Sequence, residues 1–233
     1  MKSKIKYLPL LIFAICISGC HPENPDQGDP YLIAYFPFDS SFDDKSGNDN
    51  ILQVFGNPQF TEGYIEDSSI AIYLDGENDY LVSHIGIADT FSISMWVQSY
   101  TYFVGEWPPR RSTVFDYSEK QVYGYIDGAS GATMLNGGIE SEPLAGAMID
   151  NCNNWFHIYL AVNNDMKIYL DGICKDTVPL EESMTYLNDI IYFGRSSSDD
   201  EIALTYFYGN LDEIRVYNRI LEPSEIEQLA LKK

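Results

Sequence analysis

Positive charge is scarce. The 233-residue chain carries 14 lysines and arginines against 35 aspartates and glutamates, a formal net charge of −21. A surface of that sign repels phosphate backbones, which excludes nucleic acid as a partner. Histidine is scarcer still, with three in all. His21 falls in a Pro- and Asp-rich stretch, and neither His84 nor His157 sits in a nucleophile motif, so triad hydrolase chemistry has no support. His157 shares a strand face with Trp155 and Tyr159, where a packed structural histidine is expected. Four cysteines are present, two of them within the first twenty residues. The apolar stretch "YLPLLIFAICI" is too short to span a bilayer comfortably, and no long helical pattern follows it.

Lys2, Lys4 and Lys6 precede that stretch, and a basic start before a short apolar run marks a secretory signal. The run closes in "ISGC", Ile17 to Cys20, which resembles the bacterial lipobox, whose cysteine is acylated and becomes the mature N-terminus. Residues 1–19 are thus predicted to be a lipoprotein signal peptide, with Cys20 as the lipidation site. Lipid chains would hold the protein at a membrane while its domain stays in water. Removing residues 1–19 takes away three lysines and no acids, leaving −24. The following "HPENPDQGDP" has no core-forming residue and reads, over residues 20–30, as a flexible tether. Acidic residues so soon after the cysteine are similar to the surface-export signal of Bacteroidetes lipoproteins. That implies lipid-anchored display at the outer membrane.

What is abundant is aromatic. Eighteen tyrosines and twelve phenylalanines suit half-buried pleated surfaces, and an all-β domain is predicted over residues 31–233. "FSISMWV" alternates cleanly, with Phe91, Ile93, Met95 and Val97 on one face and Ser92, Ser94, Trp96 and Gln98 on the other. Similar short runs, "LIAYFPF", "SIAIYLDG", "STVFDY", "WFHIYLAV", "DIIYFGR" and "YGNLDEIRVY", are separated by turn formers, the pattern of a sandwich or barrel. "PSEIEQLALKK" supplies one short closing helix, with Pro223 in its first turn and Ile226, Leu229 and Ala230 as a narrow apolar stripe. The runs on either side of "NND" read as a hairpin centred near Asn163. That would set Cys152 and Cys174 opposite each other as a disulfide candidate, the alternative being two buried thiols.

The pieces "AYFPFDSSFDDKSGNDN", "AIYLDGENDYLV", "FSISMWV", "NWFHIYLAV" with "IYLDG", and "FYGNLDEIRVYNRILEPSEIEQL" occur in that order. Together they resemble the laminin G-like jelly roll of the concanavalin A-like lectin/glucanase superfamily, over about Tyr31 to Leu231. The resemblance implies two antiparallel sheets packed face to face. It also implies a structural calcium that pins the terminal strands together. The matching positions are Asp39, Gly76 (or Asp75) and Asp212, and hard oxygen ligands suit that ion. The alternative at those positions is turn capping by Asp39 and Asp75 and backbone bonding by Asp212.

Glucanases of this fold resemble one another in a Glu-x-Asp-x-x-Glu strand, which this chain lacks. Asp212 and Glu213 are consecutive, so a regular strand would point them to opposite faces. The expectation is therefore a module that is not an enzyme. Its leading partner is a glycan, bound by aromatic faces and planar polar groups in the loop that carries Tyr100, Tyr102, Phe103, Trp107, Arg110 and Arg111. Trp96 is a further candidate for a sheet-surface platform. A surface adhesion or scaffold module that binds protein is the second reading.

Overall fold

The computed structural model describes residues 28–67, 69–100, 112–117, 122–127, 133–138, 145–180, 188–197 and 206–231. Among them are fifteen strands and one helix. The first six strands are β1 (Leu32–Phe36), β2 (Gln53–Phe55), β3 (Gln59–Glu62), β4 (Ile70–Asp75), β5 (Tyr80–His84) and β6 (Phe91–Ser99). Then come β7 (Ser112–Tyr117), β8 (Val122–Asp127), β9 (Thr133–Gly138), β10 (Ala145–Ile149) and β11 (Phe156–Val162). The last are β12 (Asp165–Leu170), β13 (Ile173–Pro179), β14 (Ile190–Phe193) and β15 (Tyr208–Tyr217), followed by helix α1 (Pro223–Leu229).

The strands form two antiparallel sheets, as the sequence predicts. One has eight strands in the order β13-β12-β11-β6-β15-β4-β3, with β1 also paired to β15; the other has seven, β10-β9-β8-β7-β14-β5-β2. Strand alternation fills the space between them. Phe91, Ile93, Met95 and Val97 of β6 face that core, as do Leu211, Ile214 and Val216 of β15. The other face of β6 is buried too. Helix α1 covers it, placing Ile226 on a second cluster with Tyr159, Ala161 and Tyr217. Glu225 fixes the start of this helix by accepting the Glu222 backbone N–H at 2.7 Å.

The expected hairpin around Asn163 is present as β11 and β12, yet the predicted disulfide does not form. Cys152 and Cys174 are both free thiols, the first buried and the second exposed. The chain turns again at Gly172, and Cys174 lies on β13, opposite Tyr169 on the far side of β12. Cys152 precedes β11 and is buried in the core, its carbonyl accepting the Ser99 N–H of β6 at 2.8 Å, whereas Cys174 is exposed on β13. β12 and the β11 column intervene, two strand spacings or roughly 10 Å, beyond the approach of about 7 Å that a bridge tolerates.

Candidate functional site

The site is built on the outer face of the eight-stranded sheet, the face turned away from the core. Its central landmark is an irregularity in β15. Asp212 stands opposite Trp96 and Arg215 opposite Ser94, so β15 spends one residue more than β6 over that interval. Glu213 takes up the excess with a left-handed backbone, φ +55. The bulge falls where the other neighbour of β15 changes from β4, ending at Leu211–Ile72, to β1, beginning at Ile214–Phe36. Leu211 and Ile214 both enter the core. Asp212 and Glu213 therefore share the outer face, contrary to the alternation expected of a regular strand.

They do not form an open catalytic pair. Glu213 pairs with Arg215 and accepts the Tyr35 hydroxyl at 3.0 and 3.1 Å, while the Arg215 guanidinium lies 4.1 Å over the Tyr35 ring. Asp212 has no exposed surface. Its Oδ2 accepts the Tyr64 N–H at 3.3 Å, and its Oδ1 has no partner among the described residues. Tyr64 closes over it and stacks on Trp96 at 4.5 Å. Gly63 is required beside it, since a Cβ there would stand 2.5 Å from Oδ2. Burial pushes the Asp212 carboxyl up to about 8, and the charge on Glu213 adds to the effect. Glycoside hydrolysis needs two accessible carboxylates facing each other across a sugar, and this arrangement supplies none.

Across the sheet in the same row, His157 is buried with Nε2 2.8 Å from the Ser94 hydroxyl and its ring edge-on to Trp96. Burial drives it down to about 3, with the Arg215 charge adding to the effect. This is the packed structural histidine expected from the sequence. Trp96 donates Nε1–H to the Leu229 carbonyl at 3.2 Å and is 2 % exposed, so it is covered and forms no sheet-surface platform.

The expected calcium set divides. Asp39 is exposed and lies near enough to Asp212 to raise its carboxyl further. Gly76 follows Asp75, which pairs with Tyr208, four residues or roughly 13 Å of strand from Asp212. Asp75 Oδ1 instead accepts the N–H groups of Glu77, Asn78 and Asp79, the turn-capping alternative. Among the described residues no three acids, histidines or cysteines come together around one ion. Asp39, Gly76 and Asp212 thus do not fit a single calcium site.

Beyond Asp212 the outer face opens to solvent. Tyr73 of β4, Tyr208 of β15 and Tyr100 just after β6 meet at 5.5–6.4 Å between ring centroids, with Tyr100 36 % and Tyr208 41 % exposed. Polar groups fix the base of this corner. The Asn210 amide donates to Gln98 Oε1 at 2.8 Å and to the Tyr100 hydroxyl at 2.9 Å, and the Tyr100 hydroxyl donates to Gln98 Oε1 at 3.1 Å. Gln98 Nε2 donates to the Asn153 carbonyl at 2.6 Å. Gly76 seats Tyr208, because at φ +76 a Cβ would stand 2.8 Å from that residue's Cβ. On the other side of Gln98 is a cleft of about 680 Å³, with Trp155, Asn154, Asp171 and Lys175 in its wall.

Of the loop residues picked from the sequence, Tyr100 is in this site; Tyr102, Trp107 and Arg110 lie outside the described residues, as does Cys20. Tyr73, Tyr208 and Trp155 were not singled out for the site. The first two were within reach of the alternation rule, since Tyr73 sits between core residues Ile72 and Leu74 and Tyr208 keeps the parity of Asn210.

Comparison with solved structures gives domain 4 of AbnA, a GH43 extracellular arabinanase from Geobacillus stearothermophilus, in complex with arabinotriose. It is 22% identical with a TM-score of 0.65, covering 86% of this chain and 98% of that one. The binding domain of Paraclostridial Mosquitocidal Protein 1 is 20% identical with a TM-score of 0.62, covering 86% and 52%. The binding domain of Botulinum Neurotoxin DC in complex with SialylT is 18% identical with a TM-score of 0.65, covering 87% and 51%. The chain spans about half the length of the toxin binding domains it matches. No curated protein shows significant sequence similarity to it. The family model Laminin_G_3, described as the concanavalin A-like lectin/glucanases superfamily, matches residues 75–227, and the chain belongs to that family.

Proposed function

We propose that the protein is a non-catalytic glycan-binding module, displayed at the bacterial outer membrane through a lipid on Cys20. The observation that carries this reading is the corner of Tyr73, Tyr100 and Tyr208 above the Gln98–Asn210 amide pair. Sugars present C–H faces that pack on aromatic rings and hydroxyls that bond to planar amides, and both groups are here, with Tyr100 and Tyr208 exposed, Gln98 half-buried and Asn210 buried beneath them. Two structural relatives are seen with arabinotriose and with SialylT, which supports a carbohydrate ligand. A non-catalytic role is supported by the burial of Asp212 and the pairing of Glu213 with Arg215.

A glycan array probed with the purified protein tests this. Binding to a sugar class, lost at least tenfold in Tyr208→Ala, is the expected result. A blank array with folded protein would overturn it and favour a protein partner.

A further inference from the structure

The tyrosine corner and the Trp155 cleft stand on either side of one residue, Gln98. Building on the glycan-binding reading, we infer that the two are successive subsites for a single soluble, uncharged oligosaccharide chain that crosses the strands of the eight-stranded sheet.

Ring orientation excludes a flat ligand. Tyr73 and Tyr208 are inclined by 70°, Tyr100 and Tyr208 by 66°, and Tyr73 and Tyr100 by 45°. A flat polysaccharide surface needs coplanar rings strung along a line. These rings instead wall a corner, which takes a sugar of one chain and cannot lie flush on a sheet of chains.

Spacing suits a chain. Tyr208 is on β15 and Trp155 leads into β11, with β6 between them. Two strand spacings are roughly 10 Å between backbones, a span that linked sugar residues lying across the strands cover. Gln98 lies on the intervening strand and lines the cleft, while its amide is fixed by Tyr100, Asn210 and the Asn153 carbonyl. Because that wall is already ordered, a bound chain loses less conformational freedom in crossing it.

Charge selects among chains. The charged groups described in the cleft wall are Asp150, Asp171 and Lys175, two acids to one base, on a molecule of net −21. An anionic chain would be repelled. Asn154 and Lys175 supply hydroxyl partners to a neutral one.

The test is a length series. Calorimetry with the purified protein would use malto-, xylo-, manno- and arabino-oligosaccharides of one to six units, with polygalacturonate as the anionic probe and microcrystalline cellulose as the flat one. In the series that binds, affinity should rise at least tenfold from one unit to four and then level off. Trp155→Ala should remove that rise, so that four units bind no more tightly than one, with Asn154→Ala as a milder variant should Trp155→Ala fail to fold. Equal affinity for one and four units would overturn the two-subsite inference and leave the glycan reading standing. So would retention on cellulose, or binding of polygalacturonate as tight as the neutral chain. Absence of binding to every probe by a folded protein would overturn both.

Discussion

At the scale of single residues, two buried titratable groups flank Trp96 and pull stability in opposite directions. His157 is held near 3, well below an ordinary histidine, so the unfolded chain takes up its proton first as pH falls. Its contribution is complete above about pH 6.5 and is lost from there down towards 3. Asp212 is held near 8, above an ordinary aspartate, so the folded chain keeps its proton longer. Its contribution is complete below about pH 4 and is lost as pH rises through 8. Between about pH 4 and 6.5 the two slopes oppose each other, while above 6.5 the Asp212 slope stands alone, at about 1.4 kcal/mol per pH unit. Thermal melts should therefore show that Asp212→Asn gains on the wild type by about 2 kcal/mol between pH 6.5 and 8. His157→Gln should gain on it as pH falls from 6.5 to 4. Parallel pH profiles for wild type and both variants would contradict the assignment. The thiols admit a simpler check. Iodoacetamide should modify Cys174 in the folded protein and reach Cys152 only after denaturation, because one is exposed and the other buried. A Cys152–Cys174 cross-linked peptide in a non-reducing digest would refute the free-thiol description.

Elements show most clearly what the sequence discloses and what it withholds. The regular parts were legible because alternation is local. The faces of β6, the hairpin at Asn163 and the closing helix all follow from the spacing of apolar residues. What was hidden depends on irregularity or on long-range register. The bulge at Glu213 puts two consecutive carboxylates on one face, and it exists because β15 exchanges one neighbour for another, which no local pattern records. The turn at Gly172 carries Cys174 to the wrong side of β12 for a bridge, and only the pairing of three strands shows it. The tyrosine corner draws its rings from β4, β15 and the end of β6, far apart in sequence and adjacent only through sheet order. Gly76, read as a calcium position, turns out to seat Tyr208. Comparing Gly76→Ala with Gly47→Ala isolates that role. Both positions have positive φ, +76 and +91, but a Cβ at Gly47 meets nothing within 4 Å. Each variant should lose roughly 1–2 kcal/mol through backbone strain, and only Gly76→Ala should also weaken glycan binding, by tenfold or more. Equal binding by both would show that Tyr208 is not held from Gly76. For α1, Ile226→Ala should cost about 2–4 kcal/mol in urea unfolding, since Ile226 is fully buried against the second cluster.

For the whole molecule, geometry and charge bear on how the proposed display would work. The tether expected over residues 20–30 is shorter than the sequence suggests, because Arg219 holds Asp29 on the domain at 2.6 Å. The eight residues from Cys20 to Gln27 would have a root-mean-square span of roughly 16 Å, keeping a domain anchored at Cys20 close to the membrane. A single site of the proposed kind would bind weakly by itself, and neighbouring anchored copies would engage one polymer together. The second contact is then governed by effective concentration, which falls roughly as the −3/2 power of tether length. Two measurements follow. Palmitate labelling should mark the full chain and not Cys20→Ser, and absence of label from both would remove the anchor. In cells displaying the protein, apparent affinity for a polymeric glycan should exceed that of the purified protein by about a hundredfold. Inserting eight Gly/Ser residues after Gln27 doubles the proposed tether and should lower that advantage by only about threefold, from the same −3/2 power. A collapse of the advantage on lengthening would mean that the domain is docked against a neighbour at the surface and does not swing on a flexible chain.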